Sequence, residues 1–201
     1  MRKKLENSPT KRRILDSAQS LMLTQGYAGT SVDEVCAGAR VTKGNFFYYF
    51  KNKEQLGREL IERFASNTKD AFCCAAENGG KDPLKRIYAC IDFMTESARR
   101  PDFQGCLIGT FSQEAEAIGP NLRSVCGRNF EEGTEMFRRD FEEAAKKHAP
   151  QKPFDAKKLA DFFVSTVQGS FVLMKAKGGD RKMVQSNLKL MKSYLKSIFG
   201  R

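Results

Sequence analysis

The sequence predicts an all-α protein, and three observations carry that reading. Apolar residues recur at intervals of three and four rather than two. Glycine or proline falls between the resulting segments, and residues suited to capping stand where the segments open.

The first helix follows Ser8-Pro9, an N-cap residue and a proline at the first helical position. It carries Ile14, Ala18, Leu21 and Met22 on one face and stops at Gly26. Thr30-Ser31 precede Val32, and Glu34 stands three residues after Ser31, the spacing of a capping box, so a second short helix spans 32–38. Thr42 caps a third, ending at Tyr49, and Asn52 caps a fourth that carries Leu56, Leu60 and Phe64 toward Ala76. Gly79-Gly80 breaks the chain. Asp82-Pro83 opens a helix with Leu84, Ile87, Ile91, Met94 and Ala98 on one side, closed by Pro101. A short helix is expected over 105–117, an interruption at Gly119-Pro120, and a longer helix through Val125, Phe130, Phe137 and Phe141 to His148. Asp155 caps a strongly apolar helix. After Gly178-Gly179 a last one presents Met183, Leu190, Tyr194, Leu195 and Ile198, for roughly nine helices in all.

A chain of 201 residues buries a sizeable core. Lys and Arg number 35 against 24 Asp and Glu, and the net charge of +11 attracts an anionic polymer or an anionic membrane surface alike. The excess sits at the ends: residues 1–53 carry +6, residues 175–201 carry +7, and the stretch between them carries −2. No run reaches the roughly twenty apolar residues of a membrane span. Met1-Arg2-Lys3-Lys4-Leu5-Glu6 leads into polar sequence without the apolar core of a signal peptide, so a cytoplasmic protein is expected. The six cysteines, Cys36, Cys73, Cys74, Cys90, Cys106 and Cys126, are therefore expected as thiols rather than as a disulfide framework. None forms a CxxC pair and His148 is the one histidine, so neither a metal site nor a cofactor is expected. Glu114, Glu116, Glu131 and Glu132 lack a histidine nearby and a nucleophile motif; they read as solvated charge, and no catalytic residue is assigned.

The second and third helices, joined by a tight connection, have the arrangement that lays a helix in the DNA major groove. The chemistry of Thr42 to Lys53 sharpens this. It begins with a cation at Lys43, a glycine at Gly44 that permits close backbone approach, and an amide at Asn45 able to read a base edge. Aromatics follow, then a helix N-terminus with lysines, suited to phosphate. Phe46 and Phe50, four apart and on one face, are assigned to the core against the first helix.

Gly26-Tyr27, Thr30-Ser31-Val32 and the run from Val41 to Phe50, followed by Lys53-Glu54 and Leu56, together resemble the N-terminal signature of the TetR family in order and spacing. They cover about a quarter of the chain. The resemblance implies a helix-turn-helix DNA-binding domain over 1–53, joined by the fourth helix to a helical effector-binding and dimerisation domain over 54–201. It implies a regulator of transcription on a double-stranded DNA operator, in most members a repressor, released by a small-molecule or redox effector. It places Thr42, Lys43, Gly44 and Asn45 at bases or DNA backbone, Tyr48 and Tyr49 on or beside the groove face, and Thr30 and Lys53 at phosphates. Phe47 departs from the pattern, because the family very often has tyrosine there; that hydroxyl contact is lost or taken up by Tyr48.

Pro101 to Gly109, with Pro120-Asn121-Leu122-Arg123, resembles a segment of a branch of that family which includes repressors sensing electrophiles or oxidants through a cysteine. This makes Cys106 the candidate effector-sensing residue. A helix opening after Gly105 lowers a thiol pKa, while small apolar filler is the other role open to Cys106 and the main one for the other five cysteines. Phe103, Phe111, Phe130, Phe137, Phe162, Phe163 and Phe171 line either a ligand pocket or plain core, with core the default. Leu159, Phe162, Phe163, Val167, Phe171, Leu190, Tyr194 and Leu195 exceed what one packed face requires, which predicts a homodimer through the last two helices. Lys189, Lys192 and Lys196 read as a solvated face. The rival reading is a small helical enzyme or an interaction module whose basic ends bind acidic partners. The residue order from Thr42 to Lys53 favours the DNA reader, since an enzyme has no need of it and a membrane binder needs one long basic amphipathic face.

Overall fold

The computed structural model describes residues 8–200, so the basic residues Arg2, Lys3, Lys4 and Arg201 and the first residues of the expected domain over 1–53 lie outside the described residues. Nine helices and no strand occur among those described: α1 Pro9–Gln25, α2 Val32–Ala39, α3 Lys43–Tyr49, α4 Lys53–Glu77, α5 Pro83–Ser97, α6 Leu107–Gln113, α7 Ala115–His148, α8 Ala156–Ala176 and α9 Lys182–Phe199.

Most helix starts follow the local chemistry. The Ser31 hydroxyl accepts from the Glu34 N–H at 3.1 Å, and the Ser31 N–H donates back to the Glu34 carboxylate at 2.7 Å, closing the capping box of α2. The Ser31 N–H and the Ser31 hydroxyl, both donating to it, hold the Glu34 carboxyl below its usual pKa. Thr42 accepts from the Asn45 N–H at 3.2 Å, Asn52 from Gln55 at 2.8 Å, and Asp155 from Lys158 at 3.0 Å.

Two expectations need correction, while the expected interruption at Gly119-Pro120 is present. Ser8 precedes α1, but its hydroxyl caps nothing there; it pairs with the Tyr49 hydroxyl at 2.8 Å, because a tertiary partner is in reach. The helix expected over 105–117 stops at Gln113, since Glu114 leaves helical geometry at φ −107, ψ 40. A new turn starts at Ala115 and kinks at Gly119, whose φ of +70 only glycine adopts readily, before Pro120 resumes the long rod of α7.

The chain packs as two compact units. The first runs to Ser66 and takes in Cys106–Asn129. Its core gathers Ile14, Ala18 and Met22 of α1, Val35 of α2, Phe46 at α3, Phe50, and Leu56, Leu60 and Ile61 of α4, all almost fully buried. Phe46 and Phe50 stack at 5.5 Å between centroids, in the role their spacing predicts. Tyr27 and Phe111 meet at 5.2 Å beside Gly57, where an added Cβ would lie 3.1–3.3 Å from Leu122, Tyr27 and Phe111.

The second unit comprises Asn67–Gly105 and the chain from Phe130 on. Leu84, Ile87 and Ile91 of α5, Phe137 and Phe141 of α7, Phe163 and Val167 of α8, and Leu188 and Leu195 of α9 form its core. Phe137 and Phe163 stack at 4.4 Å and Phe103 packs on Phe171 at 5.4 Å, which is packing of the default kind. Phe162 differs: it is 52% exposed, turned away from the core that its neighbour Phe163 enters, and its ring meets Tyr194 of α9.

Candidate nucleic-acid interface

The connection between α2 and α3 is short because Arg40 adopts the left-handed conformation, φ 55 and ψ 52, and turns the chain within three residues. The Val41 N–H then bonds the Cys36 carbonyl at 3.0 Å, and Thr42 opens α3 at once. Phe46 anchors α3 from below, so the residues before and after it are thrown outward.

Thr42, Lys43, Gly44, Asn45, Phe47 and Tyr48 are all exposed and lie together along α3 and its cap. Phe47 at 55% and Tyr48 at 65% are large apolar and amphipathic rings left in water, which the packing of a self-contained core does not explain. Gly44 lies outside the left-handed region and a Cβ there would meet only the Thr42 hydroxyl, at 3.7 Å. Neither backbone nor packing demands a glycine, so the bare position is open to close approach from outside. The Asn45 side chain is exposed while its N–H is spent on Thr42, leaving the amide group for a partner.

Lys43 pairs with Asp33 of α2 at 2.8 Å, both being well exposed, and that hydrogen bond raises the lysine pKa. Surface pairs of this kind contribute little, so Asp33 holds Lys43 only weakly. Asp33 was not singled out by sequence; its one signal was a carboxylate in the first turn of α2, which reads equally well as a dipole partner.

Three expected residues sit differently. Tyr49 is half-buried and its hydroxyl is engaged with Ser8. Thr30 is 1% exposed and its hydroxyl donates to the Gly26 carbonyl at 2.7 Å, so it supports the α1–α2 turn from inside. The Lys53 ammonium lies 4.3 Å over the Tyr27 ring and 3.5 Å from the Ala28 carbonyl. Burial lowers its pKa, against the opposing charges of Glu114 and Glu34.

Glu114 was expected on a solvated face. It is half-buried instead, and its carboxylate accepts from the N–H groups of Tyr27 at 3.0 Å and Ala28 at 2.6 Å. A side chain that binds backbone 86 and 87 residues away leaves no local trace in sequence.

Cys106 is half-buried and is the N-cap residue of α6, its sulfur accepting from the Gly109 N–H at 3.4 Å. Cys36, Cys90 and Cys126 are buried, and burial raises the pKa of each; Cys73 and Cys74 are exposed. Among the described residues no group of three or more His, Cys, Asp or Glu side chains is placed to hold a metal ion, and no helix is long and apolar enough to cross a membrane.

Comparison with known proteins agrees with this geometry. Residues 14–60 match the model of the bacterial regulatory proteins of the tetR family, and residues 83–186 match that of the C-terminal domain of LmrA/YxaF-like transcriptional regulators. The chain is 27% identical over 171 residues to the HTH-type transcriptional repressor DhaR of a Mycobacterium species, covering 85% of each. It is 26% identical over 117 residues, 58% of this chain and 59% of the relative, to the HTH-type transcriptional repressor NemR of Escherichia coli. Among solved structures, the regulatory protein TetR from Rhodobacter sphaeroides superposes with a TM-score of 0.84 at 25% identity, over 93% of this chain and 99% of the other. NemR of E. coli in its reduced form shares the fold, with a TM-score of 0.81 at 20% identity over 95% and 97% of the two chains. The second model alone spans more than half of the sequence, and these relatives are transcriptional regulators, not enzymes: the chain belongs to the TetR family of DNA-binding transcriptional regulators.

Proposed function

We propose that this protein is a repressor that binds a double-stranded DNA operator as a homodimer through α3 and is released by a small-molecule or thiol-reactive effector. The observation that carries the DNA contact is the exposed set Lys43, Gly44, Asn45, Phe47 and Tyr48, with a glycine at 44 that the fold itself does not need. Asn45 is the base reader, because a side-chain amide offers a donor and an acceptor to an adenine edge. Thr42, Lys43, Gly44 and Tyr48 hold the DNA backbone or neighbouring bases, and Phe47 offers an apolar contact where a hydroxyl is missing. Thr30, Tyr49 and Lys53 act through the turn and the helix end they brace, with the Lys53 ammonium available to a phosphate when it leaves Ala28. On this reading residues 1–53 are the DNA-binding domain and 54–201 the effector-binding and dimerisation domain. DhaR and NemR are repressors, which supports repression here.

Cys106 is the effector-sensing residue in this proposal. Its sulfur stands at the cap of α6 and accepts the Gly109 N–H, and a cysteine attacks electrophiles through that sulfur. Adding a group there would break the cap and wedge a packed helix end. The test selects duplexes from the source genome with the purified protein and then adds a maleimide, which alkylates the sulfur. The expected result is a set of fragments sharing one two-fold-related sequence, released from wild type but retained by Cys106→Ser. Recovery without sequence preference refutes the DNA reading. Equal release from both proteins, or from neither, makes Cys106 packing and leaves a non-covalent ligand as the signal.

A further inference from the structure

The α1–α2 turn of the first unit is held by two side chains of opposite charge. Glu114, the residue that ends α6, takes the N–H groups of Tyr27 and Ala28 with its two oxygens, at 3.0 and 2.6 Å. Lys53, at the start of α4, donates to the Ala28 carbonyl and covers the Tyr27 ring. The fit is close: a Cβ built on Gly26 would lie 1.9 Å from the Glu114 carboxylate, so this glycine serves the approach as well as its own φ of +83. Below the turn the Tyr27 ring packs against Phe111 of α6.

The same turn seats the reading helix. Gln25 reaches across it to the Gly29 carbonyl at 2.8 Å and to Glu34 at 3.2 Å, and Thr30 ties back to Gly26. Ser31 and Glu34 then form the capping box that starts α2, and α2 hands the chain to α3 through the Arg40 turn. A carboxylate on two backbone N–H groups is a charge-assisted contact, about twice the strength of a neutral one, and it fixes direction as well as distance.

We propose that Glu114 is a positioning residue for operator binding: from the corner after α6 it sets the α1–α2 turn, and through the capping box the attitude of α2 and α3. This rests on the DNA reading above. It makes a distinct demand, because sequence-specific contacts depend on the pose of α3 while contacts to phosphate at large tolerate a loosened pose.

The test uses full-length protein with the genome-selected duplex and a scrambled duplex of equal length at one fixed salt concentration, alongside thermal unfolding and amide hydrogen exchange. Glu114→Ala is expected to lose about tenfold in affinity for the selected duplex and to change little on the scrambled one. The Tyr27 and Ala28 amides should exchange faster, with those of α4 still protected. Glu114→Gln keeps one accepting oxygen where two N–H groups now take one each, so it should show a smaller loss, again confined to the selected duplex. Equal losses on both duplexes, or none on either, overturn the proposal. If Glu114→Ala does not fold, Glu114→Gln decides: full retention of affinity with unchanged exchange at Tyr27 and Ala28 overturns it, and a partial loss confined to the selected duplex supports it. A wild-type protein with no preference between the duplexes defeats the DNA reading and this proposal with it, whereas a preference that Glu114→Ala keeps defeats this proposal alone.

Discussion

Lys43 and Asn45 are two residues apart and make different uses of the same helix start. The ammonium of Lys43, held by Asp33 in the unbound chain, can exchange one anion for another, and a phosphate is the same at every base pair. In the proposed function the exposed amide of Asn45 is the group that reads a base edge. Asn45→Ala is therefore expected to cost about 1–3 kcal/mol on the selected duplex and little on a scrambled one. Lys43→Ala should weaken both and reduce the salt slope by about 1. Fluorescence titrations of both variants at two or more salt concentrations separate these outcomes, and an equal loss by Asn45→Ala on the two duplexes would refute its role as reader. Their candidacy was legible in sequence because amide, ammonium and glycine carry their chemistry with them, and the structure leaves them exposed. What was hidden is the set of tertiary partners, such as Ser8 for Tyr49, Gly26 for Thr30 and the Tyr27-Ala28 amides for Glu114.

Helix caps were the best-read elements, since a cap is decided within four residues of chain. The capping box of α2 and the single caps of α3, α4, α5 and α8 stand where the sequence puts them. The stop of α6 at Gln113 was missed because it follows from the engagement of Glu114 and not from a glycine or proline. Of the caps, Asp82 carries the largest consequence. It accepts from the Leu84 and Lys85 N–H groups, meets the nearly buried His148 ring at 2.9 Å, and has Lys147 at 3.5 Å. Burial by itself would raise its pKa. The bonds from His148 and Lys85 and the nearby positive charge outweigh that and hold the carboxyl at about 2. A carboxyl depressed in the folded state gives stability that is complete above the unfolded pKa of about 3.9. That stability fades as pH falls from about 4 toward the folded value of about 2. Asp82→Ala should cost about 1–2 kcal/mol at neutral pH through the lost cap. It should also flatten the fall of the thermal midpoint across that acid range. A variant whose acid limb tracks wild type would show that other carboxylates set it.

For the whole molecule, the all-α class was legible along the chain and the family from about a quarter of it, while the use of α8 and α9 was only half legible. The eight apolar residues assigned to a dimer face divide. Leu159, Phe163, Val167 and Leu195 turn into the core, Phe171 is half-buried, and Phe162, Leu190 and Tyr194 stay exposed. Helical periodicity says that two faces are apolar without saying which belongs to the chain itself. The exposed residues, joined by Val172 and Leu173 and led by Leu190 at 70%, form the surface on which a second copy is expected to pack. A dimer presents two reading helices, and a two-fold-related operator is what such a pair fits. Leu190 is 70% exposed, so Leu190→Glu is expected to remove the interface while sparing the fold. Sedimentation of wild type and Leu190→Glu at micromolar concentration, with and without the selected duplex, puts the account to its most direct test. It predicts a wild-type dimer that binds tightly and a folded Leu190→Glu monomer that binds weakly. A wild-type monomer with undiminished affinity for the selected duplex would contradict both the interface and the paired reading of DNA.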